Sequence, residues 1–252
     1  MNIILAEAGE VAGDLLEVSD ARAGHIIKVL RARPGDRLRC GIIGGAIGYG
    51  EIIALDEKHP RRAVLRLTLD MPPPARPPID LVLALARPIM MRRLCSGLTS
   101  LGIGELHVID TARVEKSFWE SSFIKEQHYR EHLRRGLEQA VDTRLPAVHF
   151  HRSFARFAGD ILPRLAHRYQ AMILAHPGAQ AALADLVEPG KSYLLFVGPE
   201  GGWLDAEIAA LTAQGCRLVS LGGRILRVDT AAIALHARVS QLLEADSAAS
   251  SL

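Results

Sequence analysis

Two rhythms of apolar and polar residues divide the chain. Through residue 70 the apolar runs are short and alternate with polar positions, the period of strands buried on one face. Asn2 to Glu7 predicts a strand. Ser19 or Asp20 is placed to cap a short helix reaching Leu30, with Ile26, Val29 and Leu30 on its apolar side. Pro34-Gly35-Asp36 is a turn that leads into Arg37 to Ile43, where Leu38, Cys40 and Ile42 alternate with outward residues. Glycines at 41, 44, 45, 48 and 50 mark a hairpin region. Ile52, Ile53 and Leu55 follow, and Val64, Leu65, Leu67 and Leu69 form a last strand. Several short strands and one helix predict a small barrel.

From Ile79 the rhythm changes to strands alternating with helices. Ile79 to Ala86 is a nearly continuous apolar run, as in a strand buried on both faces. Pro88 opens a helix carrying Met90, Leu94, Leu98 and Leu101 at helical spacing. Further strands are expected at Leu106–Ile109, Val148–Phe150, Met172–Ala175, Tyr193–Val197 and Arg217–Leu221. Helices are expected at about 124–141, from Ser153, at 205–214 and at 229–244. This alternation predicts an α/β domain with a mostly parallel sheet covered on both faces. Between the two regimes, residues 71–78 hold five prolines. They remove backbone donors and favour an extended spacer. The chain therefore divides into a barrel over 1–70, a linker over 71–78, an α/β domain over 79–246 and a tail over 247–252 expected to fray.

Composition narrows the classes. Of 252 residues 49% are hydrophobic and only 5% aromatic, which suits an aliphatic interior. The net charge of +2 does not by itself announce a nucleic-acid binder. Its distribution does more. Arg22, Lys28, Arg31, Arg33, Arg37 and Arg39 face a single acid, Asp36, between residues 21 and 40. Such a cluster is either a solvated surface or a stripe that neutralises RNA phosphates. Cys40, Cys95 and Cys216 have neither disulfide nor zinc spacing, and no apolar run is membrane-sized. A cytoplasmic protein is expected.

Three motif matches fail on context. Gly190-Lys191-Ser192 echoes a phosphate loop, but Asp185 stands at the first glycine and a strand follows. Leu101-Gly102-Ile103-Gly104 follows a helix and reads as its stop. His128-Tyr129-Arg130-Glu131-His132 has zinc-peptidase spacing on a helix laced with ion pairs and lacks an identifiable third ligand, so no metal is expected.

The strongest signal is a pair of C-terminal stretches, Phe196-Val197-Gly198-Pro199-Glu200-Gly201-Gly202-Trp203 and Leu221-Gly222-Gly223-Arg224-Ile225-Leu226-Arg227-Val228-Asp229-Thr230. Each ends an apolar run, turns on glycines and enters a helical pattern. Turns of this kind at strand ends suit a ligand cradled by backbone groups.

These stretches closely resemble the two signatures of the bacterial 16S ribosomal RNA uracil-N3 methyltransferases of the SPOUT superfamily. His25-Ile26-Ile27-Lys28-Val29-Leu30-Arg31-Ala32-Arg33-Pro34-Gly35-Asp36 resembles that family's N-terminal helix and turn. Leu137-Glu138-Gln139-Ala140 resembles its mid-chain helix. Asp229 stands where glutamate is usual, Ser100 replaces a usual glutamate, and Ile89 replaces a common lysine with Arg87 two residues earlier. The resemblance implies a PUA-like N-terminal β-barrel, a SPOUT α/β domain with a trefoil knot, and a homodimer. It also implies S-adenosyl-L-methionine as methyl donor without a metal, and N3 of a uridine in 16S rRNA of the small ribosomal subunit as acceptor.

Donor contacts are then expected from Leu174, Ala175 and His176, from Val197, Gly198, Pro199, Glu200, Gly201 and Gly202, and from Ser220, Leu221, Gly222, Arg224, Ile225, Leu226 and Arg227. Arg224, Glu200 and Arg227 are the catalytic candidates. A guanidinium, Arg224 in preference to Arg227, is expected to stabilise the uracil anion as it develops, and Glu200 or Asp229 either takes the proton or binds the donor's hydroxyls. RNA contacts are expected from Arg22, His25, Lys28, Arg31, Arg33 and Arg87. Two other readings stay open: a SPOUT enzyme acting on another RNA such as tRNA, and a non-catalytic RNA-binding or ribosome-assembly protein on the same fold.

Overall fold

The first six strands form one mixed, curled sheet in the order β1-β4-β5-β6-β3-β2, in a computed structural model that describes residues 1–58 and 60–249. They are β1 (Ile4–Ala6), β2 (Val11–Ala12), β3 (Leu15–Val18), β4 (Arg37–Ile42), β5 (Ile47–Asp56) and β6 (Arg62–Met71). β1 runs parallel to β4; the other pairs are antiparallel. Two register shifts in the β5–β6 ladder bend the longest hairpin. Gly48 sits at one of them, where a Cβ would lie 2.0 Å from the Thr68 carbonyl oxygen. α1 (Ala21–Gly24) is capped by Asp20, whose carboxylate accepts from the Arg22 amide, and continues into a wider turn over His25–Val29.

Both faces of β1 are covered, which explains its unbroken apolar sequence. Ile4 and Ala6 join Leu16, Ile26, Cys40, Ile52 and Leu65 in the main core of this unit. Ile3 and Leu5 face the other way, against Ile47 and Leu137. Leu137 comes from far along the chain. The first compact unit is Met1–Ala75 together with Arg134–Leu145; the second is Arg76–Leu133 with Pro146–Leu252. The returning segment is hydrogen-bonded in place: the Asn2 amide donates to the Glu138 carbonyl, and Arg134 Nη2 donates to the Leu5 carbonyl at 2.6 Å. Thr143 Oγ1 donates to the Gly45 carbonyl at 2.6 Å. The sequence division at the prolines assigns residues 134–145 to the α/β domain. Nothing in periodicity shows that their apolar side serves the second face of β1.

The second unit carries a fully parallel sheet, β12-β10-β11-β7-β8-β9. Its strands are β7 (Ile79–Ala84), β8 (Glu105–Ile109), β9 (Ala147–His151), β10 (Ala171–Ala175), β11 (Tyr193–Val197) and β12 (Cys216–Val219). Helices are α2 (Pro88–Ser100), α3 (Glu126–Ala140), α4 (Phe154–Arg156), α5 (Leu162–Ala166), α6 (Asp205–Ala213) and α7 (Val228–Ala249). Val82, Leu194 and Phe196 point to one face, into a core with Phe157, Leu162, Trp203 and Leu211. The intervening Leu81, Leu83 and Leu195 are equally buried on the other face. α2 and α7 pack there against one another, so closely that a Cβ on Gly97 would sit 3.0 Å from Ile233 Cδ1. α7 continues to Ala249 beyond the expected end at 244; of the tail expected to fray, residues 250–252 lie outside the described residues.

No helix among the described residues is long and apolar enough to cross a membrane. All three cysteines are free and buried, and burial pushes each thiol up to about 12.

Candidate active site

In a parallel sheet all strands end at one edge, so loops distant in sequence become neighbours there. β12, β10 and β11 are adjacent, and the segments after them meet around a cavity of about 460 Å³. A volume of this size suits a nucleoside-sized ligand. The two glycine-rich stretches form two walls, and Ala175, His176 and Pro177 form a third.

Each glycine turn has a local cause. After β11 the chain must pass the Trp203 indole, and a Cβ on Gly198 would lie 2.6 Å from its Nε1. Gly202 then reverses the chain at φ +76°, with its amide donating to the Pro199 carbonyl at 2.8 Å. In the second stretch Gly222 has φ +122°, a conformation side chains rarely adopt. Ser220 holds that turn, its Oγ accepting from the Gly222 amide at 3.1 Å. Trp203 lines the cavity, with its Nε1 buried against Gly198.

A third loop completes the cavity. Arg113, in the segment after β8, lines it and donates from Nη1 to the Gly201 carbonyl at 2.5 Å. The buried Glu207 carboxylate fixes both loops, accepting from the Ala112 amide at 2.8 Å and from the Leu204 amide at 2.9 Å. The expected donor contacts did not include Arg113, Pro177, Trp203, Val228 and Ala231, which also line the cavity. A usable signal for Arg113 was its place just after a predicted parallel strand.

Of the expected donor contacts, Ala175, His176, Val197, Gly198, Pro199, Glu200, Gly201, Gly202, Leu221, Gly222, Arg224, Ile225 and Leu226 line the cavity. Leu174, Ser220 and Arg227 do not. Leu174 is buried in the core behind, and Ser220 is engaged with the Gly222 turn. Arg227 pairs with Asp229, Nε to Oδ1 at 3.6 Å, and its side chain is 68% exposed. Asp229 in turn accepts from the Thr230 amide at the start of α7. Of the three catalytic candidates, Glu200 and Arg224 therefore face the cavity and Arg227 stands apart from it. Ile225, at 89% exposure, is an apolar side chain held out at the rim.

The expected RNA-contacting residues separate in the same way. Lys28, Arg31, Arg33 and Arg87 are exposed and His25 is half-buried. Arg22 leaves the set. It is 5% exposed, its guanidinium spent on Glu10 at 2.5 Å, Asp20 at 2.8 Å and the Leu5 carbonyl at 2.8 Å. A charge run in sequence does not distinguish a surface cation from one buried by neighbouring acids.

Comparisons with known proteins agree with this geometry. Residues 73–240 match the RNA methyltransferase domain family, and residues 18–61 match the RNA methyltransferase PUA domain family. The chain is 33% identical over 244 residues to ribosomal RNA small subunit methyltransferase E of Treponema pallidum, covering 95% of this chain and 90% of that protein. It is 29% identical over 232 residues to the protein of the same name from Mycobacterium tuberculosis, covering 90% and 85%. A crystal structure of ribosomal RNA small subunit methyltransferase E from Neisseria gonorrhoeae bound to S-adenosyl methionine shares the fold, with TM-score 0.76 and 21% identity over 96% of this chain and 98% of that one. With its two glycine turns built into one cavity and its length covered by these relatives, the chain belongs to the ribosomal RNA small subunit methyltransferase E family.

Proposed function

We propose that this protein is a cytoplasmic homodimer that methylates N3 of one uridine in 16S rRNA of the small ribosomal subunit, with S-adenosyl-L-methionine as donor. One observation carries the reading: two glycine turns far apart in sequence converge, with Ala175 and His176, on a single cavity that holds Glu200 and Arg224. The residues present fit the donor. The cavity has nucleoside size, and no Cβ intrudes at Gly198, Gly201 or Gly222. The donor supplies an electrophilic methyl on a sulfonium.

The protein's part is to orient and to manage one proton. Removing the N3 proton of uracil leaves an anion spread over O2 and O4. The Arg224 guanidinium stabilises that anion through one of these oxygens. The Glu200 carboxylate accepts the proton, N3 takes the methyl, and the sulfonium becomes a neutral thioether, so charge balances. Arg113 holds the Gly201 carbonyl and with it the shape of the donor wall. Lys28, Arg31, Arg33 and Arg87 contact RNA phosphates.

The direct test incubates purified protein and methyl-labelled S-adenosylmethionine with small-subunit RNA, naked and assembled, and with bulk tRNA. Label confined to small-subunit RNA, released as N3-methyluridine, is expected. Label on tRNA alone, or on another base atom, contradicts the proposal.

A further inference from the structure

Away from the cavity, three histidines and a glutamate gather on one face of β8 and β9. Register places His107 beside His149 and Ile109 beside His151, with Glu105 two residues before His107 on the same face. One potential ligand atom from each of Glu105, His107 and His149 lies within 4.8 Å of the other two. Glu105 Oε2 is 3.3 Å from His107 Nε2 and 3.7 Å from His149 Nε2. None of these residues lines the cavity.

We infer that Glu105, His107 and His149 form a binding site for one zinc-class divalent cation. Two imidazoles and one carboxylate are the donor set that borderline transition cations select. Bonds of about 2.0–2.2 Å to such a cation place neighbouring donors roughly 3–3.6 Å apart. The two separations involving Glu105 are already close to that range.

A second observation is independent of the clustering. His107 is 3% exposed, and its buried Nε2 faces Glu105 Oε2 at 3.3 Å without a well-aligned hydrogen bond to any described residue. Its other nitrogen is engaged, Nδ1 lying 3.1 Å from His151 Nε2. In the tautomer that carries its proton on Nδ1 and donates it to His151, the Nε2 lone pair is free for the cluster. This is the outer-sphere arrangement that fixes a metal-binding imidazole.

Glu105 is held from the far side. Its Oε1 accepts from Arg168 Nη2 at 2.5 Å, and its Oε2 accepts from Arg168 Nη1 at 3.3 Å. Arg168 thus fixes the carboxylate while Oε2 faces the histidines. The rings of His107 and His149 now stack, with centroids 4.8 Å apart. Binding requires the His149 ring to turn so that one of its nitrogens shares the cation with Glu105 and His107. At 45% side-chain exposure it is free to do so, and it leaves the remaining coordination positions to water. The site ties edge strand β9 to β8.

The test uses the full chain with any affinity tag removed, stripped with a chelator, and titrated with Zn²⁺ against a chromophoric competitor. One equivalent is expected to bind. His149→Ala and Glu105→Gln are each expected to weaken binding at least tenfold, while His128→Ala on α3 leaves it unchanged. His149 is exposed, so its variant should keep the wild-type circular dichroism. Co²⁺ should show a ligand-field spectrum in the wild type that His149→Ala abolishes. Absence of saturable binding, equal binding by His149→Ala, or loss in His128→Ala overturns the assignment.

Discussion

Gly198 packs directly against the Trp203 indole, so a single added methyl there tests how the donor wall is built. An alanine Cβ there would lie 2.6 Å from Trp203 Nε1 and 2.9 Å from its Cδ1 and Cε2. Non-bonded carbon atoms settle at about 3.5–4.0 Å, so the indole or the loop must retreat by roughly 1 Å. The indole has little room, being 7% exposed and packed in the core with Phe196, Phe157 and Leu211. Overpacking a filled interior costs about 1–3 kcal/mol. At about 2 kcal/mol the melting midpoint falls by about 4–8 °C for a chain of this length. The strain also displaces the donor wall, so calorimetric affinity for S-adenosylmethionine should drop at least tenfold. Gly201→Ala is the matched comparison. Its Cβ meets Arg113 Cδ at 3.1 Å, but that side chain is exposed and yields. Its stability should stay within about 0.5 kcal/mol of wild type. If Gly198→Ala melts with wild-type protein and binds donor equally well, the packing argument fails.

Three further outcomes follow from the site and the first unit. Arg224→Ala should leave donor affinity within a few-fold while slowing single-turnover methylation about 10²–10³-fold; Arg227→Ala, away from the cavity, should slow it far less, and equal losses would remove the distinction. Replacing Lys28, Arg31 and Arg33 together by Gln should weaken RNA binding and flatten its dependence on the logarithm of salt concentration by roughly 0.7–0.9 for each phosphate no longer neutralised, measured by filter binding. An unchanged salt slope would take these side chains out of the RNA interface. Arg22→Ala should destabilise the first unit by about 3 kcal/mol in urea titrations, because two carboxylates and a carbonyl lose their buried partner. Arg22 holds the Glu10 and Asp20 carboxyls below their ordinary range. A lowered folded pKa stabilises above the unfolded value and is lost as acid protonates the folded form. The Arg22→Ala deficit should therefore be full above pH 4.5 and shrink below it; a constant deficit would refute the pairing.

Much of the second unit was legible because a parallel sheet writes itself plainly. Buried strands are continuous apolar runs, and Pro88, Ser153 and Asp205 mark helix starts. The glycine turns were legible because Gly202 and Gly222 occupy left-handed backbone that few residues adopt. What escaped depends on contacts between residues distant in sequence. Leu137 belongs to the core beneath β1, although its helix begins in the other unit. Arg113 reaches the cavity only because β8 ends at the same sheet edge as β11. Arg22 and Arg31 are equivalent in sequence, yet Glu10 and Asp20 bury one and leave the other exposed. Arg224 and Arg227 separate only when the loop is built, since Asp229 draws the second away. The imidazole cluster was invisible because His107 and His149 meet only through strand register.

In the proposed reaction, Arg224 and the glycine-walled cavity transfer a methyl to N3 of a small-subunit uridine. Its most direct test is mass-spectrometric mapping of 16S rRNA from cells lacking the gene, with wild-type or Arg224→Ala protein restored. One N3-methyluridine should be missing in the deletion strain, return with the wild type and stay missing with Arg224→Ala. An unchanged complement of N3-methyluridine in the deletion strain, or full restoration by Arg224→Ala, would contradict the account.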